Sequence, residues 1–148
     1  MNVLFTDKFV GKTQIDLNLA FDKKISFDLE SSDMTDLLKN SDFVSLHVPA
    51  QKSYVIGKNE FNLMKTGAGL INAARGGVVD EKSLIESLDS GKLAFAGVDT
   101  FENEPKPSVK LLMHPKVSLT PHIGAATNEA QDRIGIELAN QIMTLVKE

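Results

Sequence analysis

From Leu70 to Val98 the chain carries an apolar run, a stretch with helical periodicity and a second apolar run, joined by short turns. Asp80 can open the helix, with Leu84, Ile85 and Leu88 turned inward, Gly91 can stop it, and residues 94–98 follow as a strand. Strand, helix of about three turns and strand with short joins is the βαβ pattern, whose crossover is nearly always right-handed. This unit restricts the chain to an α/β fold with a parallel sheet.

The rest of the chain fits around that unit. Val3-Leu-Phe-Thr reads as a strand ending at Asp7, and the polar stretch to about Lys24 reads mostly as loop. Asp33 can cap a short helix with Met34, Leu37 and Leu38 on one face, and residues 43–48 form a buried strand closed by Pro49. Asn59 can cap a helix carrying Phe61, Leu63 and Met64, which Gly67 or Gly69 ends before a strand at residues 70–74. A strand at 117–119 and a long helix from about Thr127 finish the chain, with Ala130, Ile134, Leu138, Ile142 and Leu145 at helical spacing.

A length of 148 residues with 42% hydrophobic content suffices for one domain with a single core. The net charge of −4, with no run rich in Lys or Arg, argues against a nucleic-acid or anionic-membrane partner. Without cysteine there is no disulfide, thiol nucleophile or Cys-based metal site. The first residues turn acidic too soon for a signal peptide, and no apolar stretch approaches the roughly 20 residues that span a bilayer. A soluble cytoplasmic protein is the expectation. No His and carboxylate cluster has metal-ligand spacing, so no metal is expected.

Arg75, Glu104 and His122 each fall just past the end of an apolar run, where an open parallel sheet collects its active-site groups. Arg75, followed by Gly76 and Gly77, suits bidentate binding of a substrate carboxylate; the bland alternative is a surface Arg in a turn. His122, between Pro121 and Ile123-Gly124, can sit at the lip of the sheet as a general acid/base, and Gly124 lets something approach the backbone closely. Glu104 can bind the other ring nitrogen and fix its tautomer, with Glu102 the solvated neighbour. A Glu in such an acidic loop is otherwise merely solvated. His114 reads as structural.

Four segments carry a family resemblance: Ser41-Asp-Phe-Val-Ser-Leu-His-Val-Pro49, Leu70-Ile-Asn-Ala-Ala-Arg-Gly-Gly-Val-Val-Asp80, Gly97-Val-Asp-Thr-Phe-Glu-Asn-Glu-Pro105 and Leu119-Thr-Pro-His-Ile-Gly124. In order and spacing they resemble the D-isomer-specific 2-hydroxyacid dehydrogenases, in wording nearest the branch that acts on D-3-phosphoglycerate in serine biosynthesis. The similarity runs from Val3 to the end, with a segment about two residues shorter than usual between Pro49 and Ile56. It implies a Rossmann-like, doubly wound α/β domain, NAD as cofactor and a small 2-hydroxyacid or 2-oxoacid as substrate. Arg75, Glu104 and His122 would be catalytic. Asp7, His47, Pro49, Ala73, Asp99, His122 and Gly124 would meet the cofactor.

Among these, Asp7 ends a strand where an acidic residue accepts from the adenosine ribose hydroxyls and repels a 2′-phosphate, favouring NAD over NADP. Asp99 resembles the residue that holds the nicotinamide carboxamide, and is otherwise a turn former. His47 and Pro49 resemble the segment passing under the cofactor, although a His before such a Pro is as often a packing residue.

The resemblance also implies what the sequence does not contain. Gly67-Ala-Gly69 precedes a strand, the wrong context for a dinucleotide fingerprint. The expectation is an incomplete NAD-binding domain, residues 1–148, lacking its first βα unit and a substrate domain, and inactive as an isolated chain. Two apolar strands, at Val3 and Phe43, would then face a gap, to be closed by direct pairing, by a second molecule or not at all. A homo-oligomer or a complementing chain is the expected partner. The alternatives are a non-catalytic fragment serving as a dimerisation or interaction module, and a nonfunctional remnant.

Overall fold

Parallel pairing in strict sequence order organises the centre of the molecule. The computed structural model describes residues 2–20 and 23–146. Its elements are β1 (Lys12–Asn18), β2 (Lys24–Glu30), α1 (Met34–Asn40), β3 (Phe43–Leu46), α2 (Lys58–Leu63), β4 (Ala68–Asn72), α3 (Glu81–Asp89), β5 (Leu93–Val98), α4 (Val109–Leu112), β6 (Val117–Leu119) and α5 (Asn128–Val146). Strands β3 to β6 form one sheet in the order β3-β4-β5-β6, every neighbouring pair parallel. This is the Rossmann-like α/β architecture expected from the βαβ unit. Each crossover steps the same way along the sheet, so helices α1 to α4 line one face.

Local chemistry accounts for most boundaries. Asp33 accepts from Thr35 N and starts α1; Asp80 accepts from Lys82 N and Ser83 N and starts α3. Gly91, at φ 76°, turns the chain out of α3, a left-handed conformation that glycine adopts without penalty. The core lies between the sheet and these helices: Val44, Leu46, Leu70, Ala96 and Val98 meet Leu38, Phe61, Leu84, Leu88 and Leu111. On the opposite face Phe43, Ile71 and Phe95 remain exposed, with the Phe95 ring lying over Gly69, where a Cβ would fall 2.4 Å from it.

The structure corrects three sequence expectations. Helix α2 is capped at Gly57, whose N–H is taken at 2.9 Å by the Glu60 carboxylate; Asn59 lies inside the helix. The Val3 segment is not a strand of the sheet but makes a single parallel bridge, Phe5 to Ser31. Among the described residues it does not pair with β3, whose outer edge is unpaired. Seven residues of the stretch read mostly as loop form β1, paired antiparallel with β2. In that hairpin Ile15 faces Phe27 and Leu17 faces Ile25, while Lys12 pairs with Glu30 and Lys24 with Asp16 on the other side. Helix α5 forms where the periodicity places it, and none of its residues is buried.

Candidate active site

The parallel arrangement brings the C-terminal ends of β3, β4, β5 and β6 to one edge, and the segments that leave those ends carry His47, Arg75, Asp99 and His122. After β4 the chain bends around the buried side chain of Asn72. Its Oδ1 accepts from Ala74 N at 3.2 Å and its Nδ2 donates to Arg75 O at 3.3 Å, which fixes the Arg75 backbone. Arg75 is exposed, and among the described residues its guanidinium makes one hydrogen bond, at 2.6 Å to Ala74 O. Gly76 then passes so close to the next strand's loop that a Cβ would lie 1.9 Å from Phe101 O.

Asp99 is the hub of the β5 and β6 ends. Only 7% exposed, its carboxylate accepts from Thr120 Oγ1, from Ile123 N at 2.9 Å and from Gly124 N at 3.0 Å. Burial pushes this carboxyl upward, but the three hydrogen bonds together with the nearby His122 outweigh it and hold it below the usual range. The close approach that Gly124 permits is to this carboxylate, 3.1 Å from where its Cβ would stand. Between these anchors His122 is held at φ 54°, a left-handed conformation uncommon for a residue with a side chain.

His122 Nδ1 lies 2.8 Å from Glu104 Oε2, and Glu104 Oε1 accepts from Phe101 N at 2.9 Å. The Phe101 N–H and then His122 hold the Glu104 carboxyl below its ordinary value. An ionised carboxylate only accepts, so the network assigns the ring proton to Nδ1 and leaves Nε2 to exchange a proton with a ligand. An open apolar recess lined by Phe101, Leu112, Leu119 and Pro121 adjoins this pair.

The other sequence candidates fall as follows. His47 and Ser45 share the uncovered face of β3, with Ser45 Oγ 2.9 Å from His47 Nε2; Pro49 and Ala73 are exposed beyond their strands. One oxygen of Asp7 accepts from Phe9 N at 2.7 Å and Val10 N at 3.0 Å, and among the described residues its other oxygen has no partner. Asp7 therefore keeps one carboxylate oxygen able to accept a further hydrogen bond, although the strand it was expected to end is reduced to the Phe5 bridge. His114 is structural, its ring 3.2 Å from Asp89 and accepting from Lys116 N.

One reading is overturned. Glu102 is not a solvated neighbour: it accepts from Glu81 N at 2.9 Å, and Glu81 accepts from Glu102 N at 2.8 Å. Sequence reading also missed Asn72 and Glu81. Asn72 falls on the last position of an apolar strand, where a polar residue was a signal; nothing local pointed to Glu81.

Comparisons with known proteins place the chain in a family. The family described as D-isomer specific 2-hydroxyacid dehydrogenase, NAD binding domain, matches residues 1–124. A D-3-phosphoglycerate dehydrogenase of Archaeoglobus fulgidus is 40% identical over 150 residues, which cover 99% of this chain and 27% of that protein. The crystal structure of a glyoxylate reductase from Paecilomyes thermophila superimposes with a TM-score of 0.73 at 35% identity, over 81% of this chain and 37% of that one. A D-lactate dehydrogenase from Aquifex aeolicus, crystallised with NAD and lactic acid, gives 0.65 at 34% identity, over 80% and 41%. The chain therefore spans between about a quarter and two fifths of the length of these proteins.

Proposed function

The chain belongs to the D-isomer-specific 2-hydroxyacid dehydrogenases, through their NAD-binding domain, and from that premise we propose that its strand-end edge is the hydride-transfer site of an oxidoreductase acting at C2 of a D-2-hydroxyacid. The observation that carries this reading is the Glu104–His122 pair at 2.8 Å beside the Asp99 anchor. When bound, NAD accepts or returns the hydride. Arg75 binds the substrate carboxylate through its planar fork. His122 Nε2 takes the hydroxyl proton in oxidation and returns it to the carbonyl oxygen in reduction, while Glu104 stabilises the charged ring in between. Asp7 holds the adenosine ribose. His47, Pro49 and Ala73 line the cofactor's path, and Asp99 presents its remaining acceptor capacity toward the nicotinamide amide.

Within the family, similarity to proteins named for D-3-phosphoglycerate, glyoxylate and lactate leaves the substrate at the level of a small 2-hydroxyacid, with D-3-phosphoglycerate the first to try. The 148 residues contain no Gly-x-Gly-x-x-Gly turn. The backbone donors for the pyrophosphate must then come from other residues, and each such charge-assisted bond contributes about 1.5–3 kcal/mol. We therefore treat these residues as an incomplete NAD-binding domain with negligible turnover in isolation. A second reading, self-association through the hairpin and α5, is favoured by their exposed apolar faces and is tested by sedimentation.

The active-site reading is tested by nuclear magnetic resonance on the purified chain with NADH and oxalate, a mimic of the 2-oxoacid. Joint perturbation of the Arg75 guanidinium and the His122 ring is expected. Signals from both that ignore oxalate at millimolar concentration would overturn the reading.

A further inference from the structure

Two carboxylates placed side by side repel each other, so a fold that keeps them adjacent uses them for something. Glu81 is the first residue of α3 and is only 7% exposed; Glu102 comes from the loop after β5, 21 residues later. Each uses Oε1 to accept the other's backbone N–H, at 2.8 and 2.9 Å, which closes a reciprocal ring between helix start and loop. The Glu81 N–H is one of the unpaired donors of a helix start, and water or the Asp80 cap could have satisfied it. Accepting it from a distant carboxylate instead ties the loop to the rigid helix.

The same loop is gripped at the preceding residue. Phe101 O lies against Gly76, with no room for a Cβ, and Phe101 N donates to Glu104 Oε1. Glu104 Oε2 in turn meets His122 Nδ1. Glu104 itself is exposed, as are Asn103 and Pro105, so its aim depends on how firmly residues 101 and 102 are held.

We propose that Glu81 and Glu102 are positioning residues: their reciprocal clamp holds the Phe101–Glu104 turn against α3 and Gly76 and thereby aims Glu104 at His122 Nδ1. The proposal rests on the reading of His122 as the proton-transfer group. Neither glutamate touches a reacting atom. Both act through Glu104, by fixing the tautomer that leaves Nε2 free.

The test is the tautomer of His122, read from its ring 15N resonances in the full 148-residue chain at a pH where the ring is neutral, with the His122→Gln spectrum for assignment. The wild type should show Nδ1–H as the dominant form. Glu102→Ala should lower the Nδ1–H to Nε2–H ratio by roughly tenfold, the equivalent of one hydrogen bond. Glu102→Gln keeps an acceptor oxygen at the same reach and should restore the wild-type ratio, which a general loss of stability would not do. Should Glu102→Ala fail to fold, Glu102→Asp, which keeps the charge but shortens the reach, carries the same expectation. A wild-type ratio in Glu102→Ala or Glu102→Asp would overturn the clamp while leaving the His122 reading intact. A wild-type chain without Nδ1–H would overturn both.

Discussion

The sheet and the β1–β2 hairpin each carry a row of apolar side chains on one face, with opposite fates. Val44, Leu70, Ala96 and Val98 are at most 5% exposed, whereas Ile15, Leu17, Ile25 and Phe27 are between 41% and 48% exposed. Two helices repeat the contrast: Leu84 and Leu88 of α3 are buried, while Ile134, Leu138 and Ile142 of α5, also four residues apart, face solvent. Periodicity decides which face of an element prefers to leave water. Whether it does so depends on a partner layer, which α1 to α4 supply to one face of the sheet. Arg75, Asp99 and His122 sit on the well-packed side of this divide, beyond strand ends fixed by the core.

The contrast is sharpened most by truncating one buried and one exposed apolar side chain. Leu88→Ala should cost about 2–5 kcal/mol in urea unfolding, and Phe27→Ser less than about 0.5 kcal/mol at low protein concentration. Similar losses would break the comparison and mean that the hairpin face is covered in solution. Next in size, Arg75→Ala should weaken oxalate binding in the presence of NADH by about 1.5–3 kcal/mol, measured calorimetrically, with the urea midpoint unchanged. A falling midpoint would make Arg75 part of the scaffold. Gly76→Ala should cost about 1–3 kcal/mol, because the new Cβ collides with backbone and not with a movable side chain.

Acidification has the subtlest effect. Asp99 has a folded-state pKa below its unfolded value, so its stabilisation is complete above the ordinary carboxylate range and is lost as pH falls through the folded value. Thermal midpoints should therefore drop below about pH 4, and Asp99→Asn should flatten that part of the profile. Glu81 has the opposite sign. Burial, and the Glu102 charge against the Glu102 N–H bond, leave its carboxyl raised, so ionising it in the folded state costs stability as pH rises through the carboxylate range. Glu81→Gln should remove that loss in the same melting series.

Local signals were legible in the sequence. Asp33 and Asp80 announce helix starts because an N-cap bonds within three residues, and Gly91 announces a stop because few residues tolerate its φ. Arg75, Glu104 and His122 could be picked out because strand ends in a parallel sheet are where polar groups converge. The hairpin was hidden by its own polar face, where Lys12, Gln14 and Asp16 alternate with apolar residues and give the stretch the composition of a loop. Gly57 was passed over as a cap because the acceptor is Glu60 reaching back. Glu102 was misread, and the hub role of Asp99 unseen, because their partners lie 21 to 25 residues away and only the fold makes them neighbours.

The central claim, that the strand-end edge is a nicotinamide cofactor site, is tested most directly by titrating the purified chain with NADH while following cofactor fluorescence, beside Asp7→Ala. Weak but saturable binding is expected, weaker still in Asp7→Ala. No binding up to millimolar NADH, or binding indifferent to Asp7, would contradict the account.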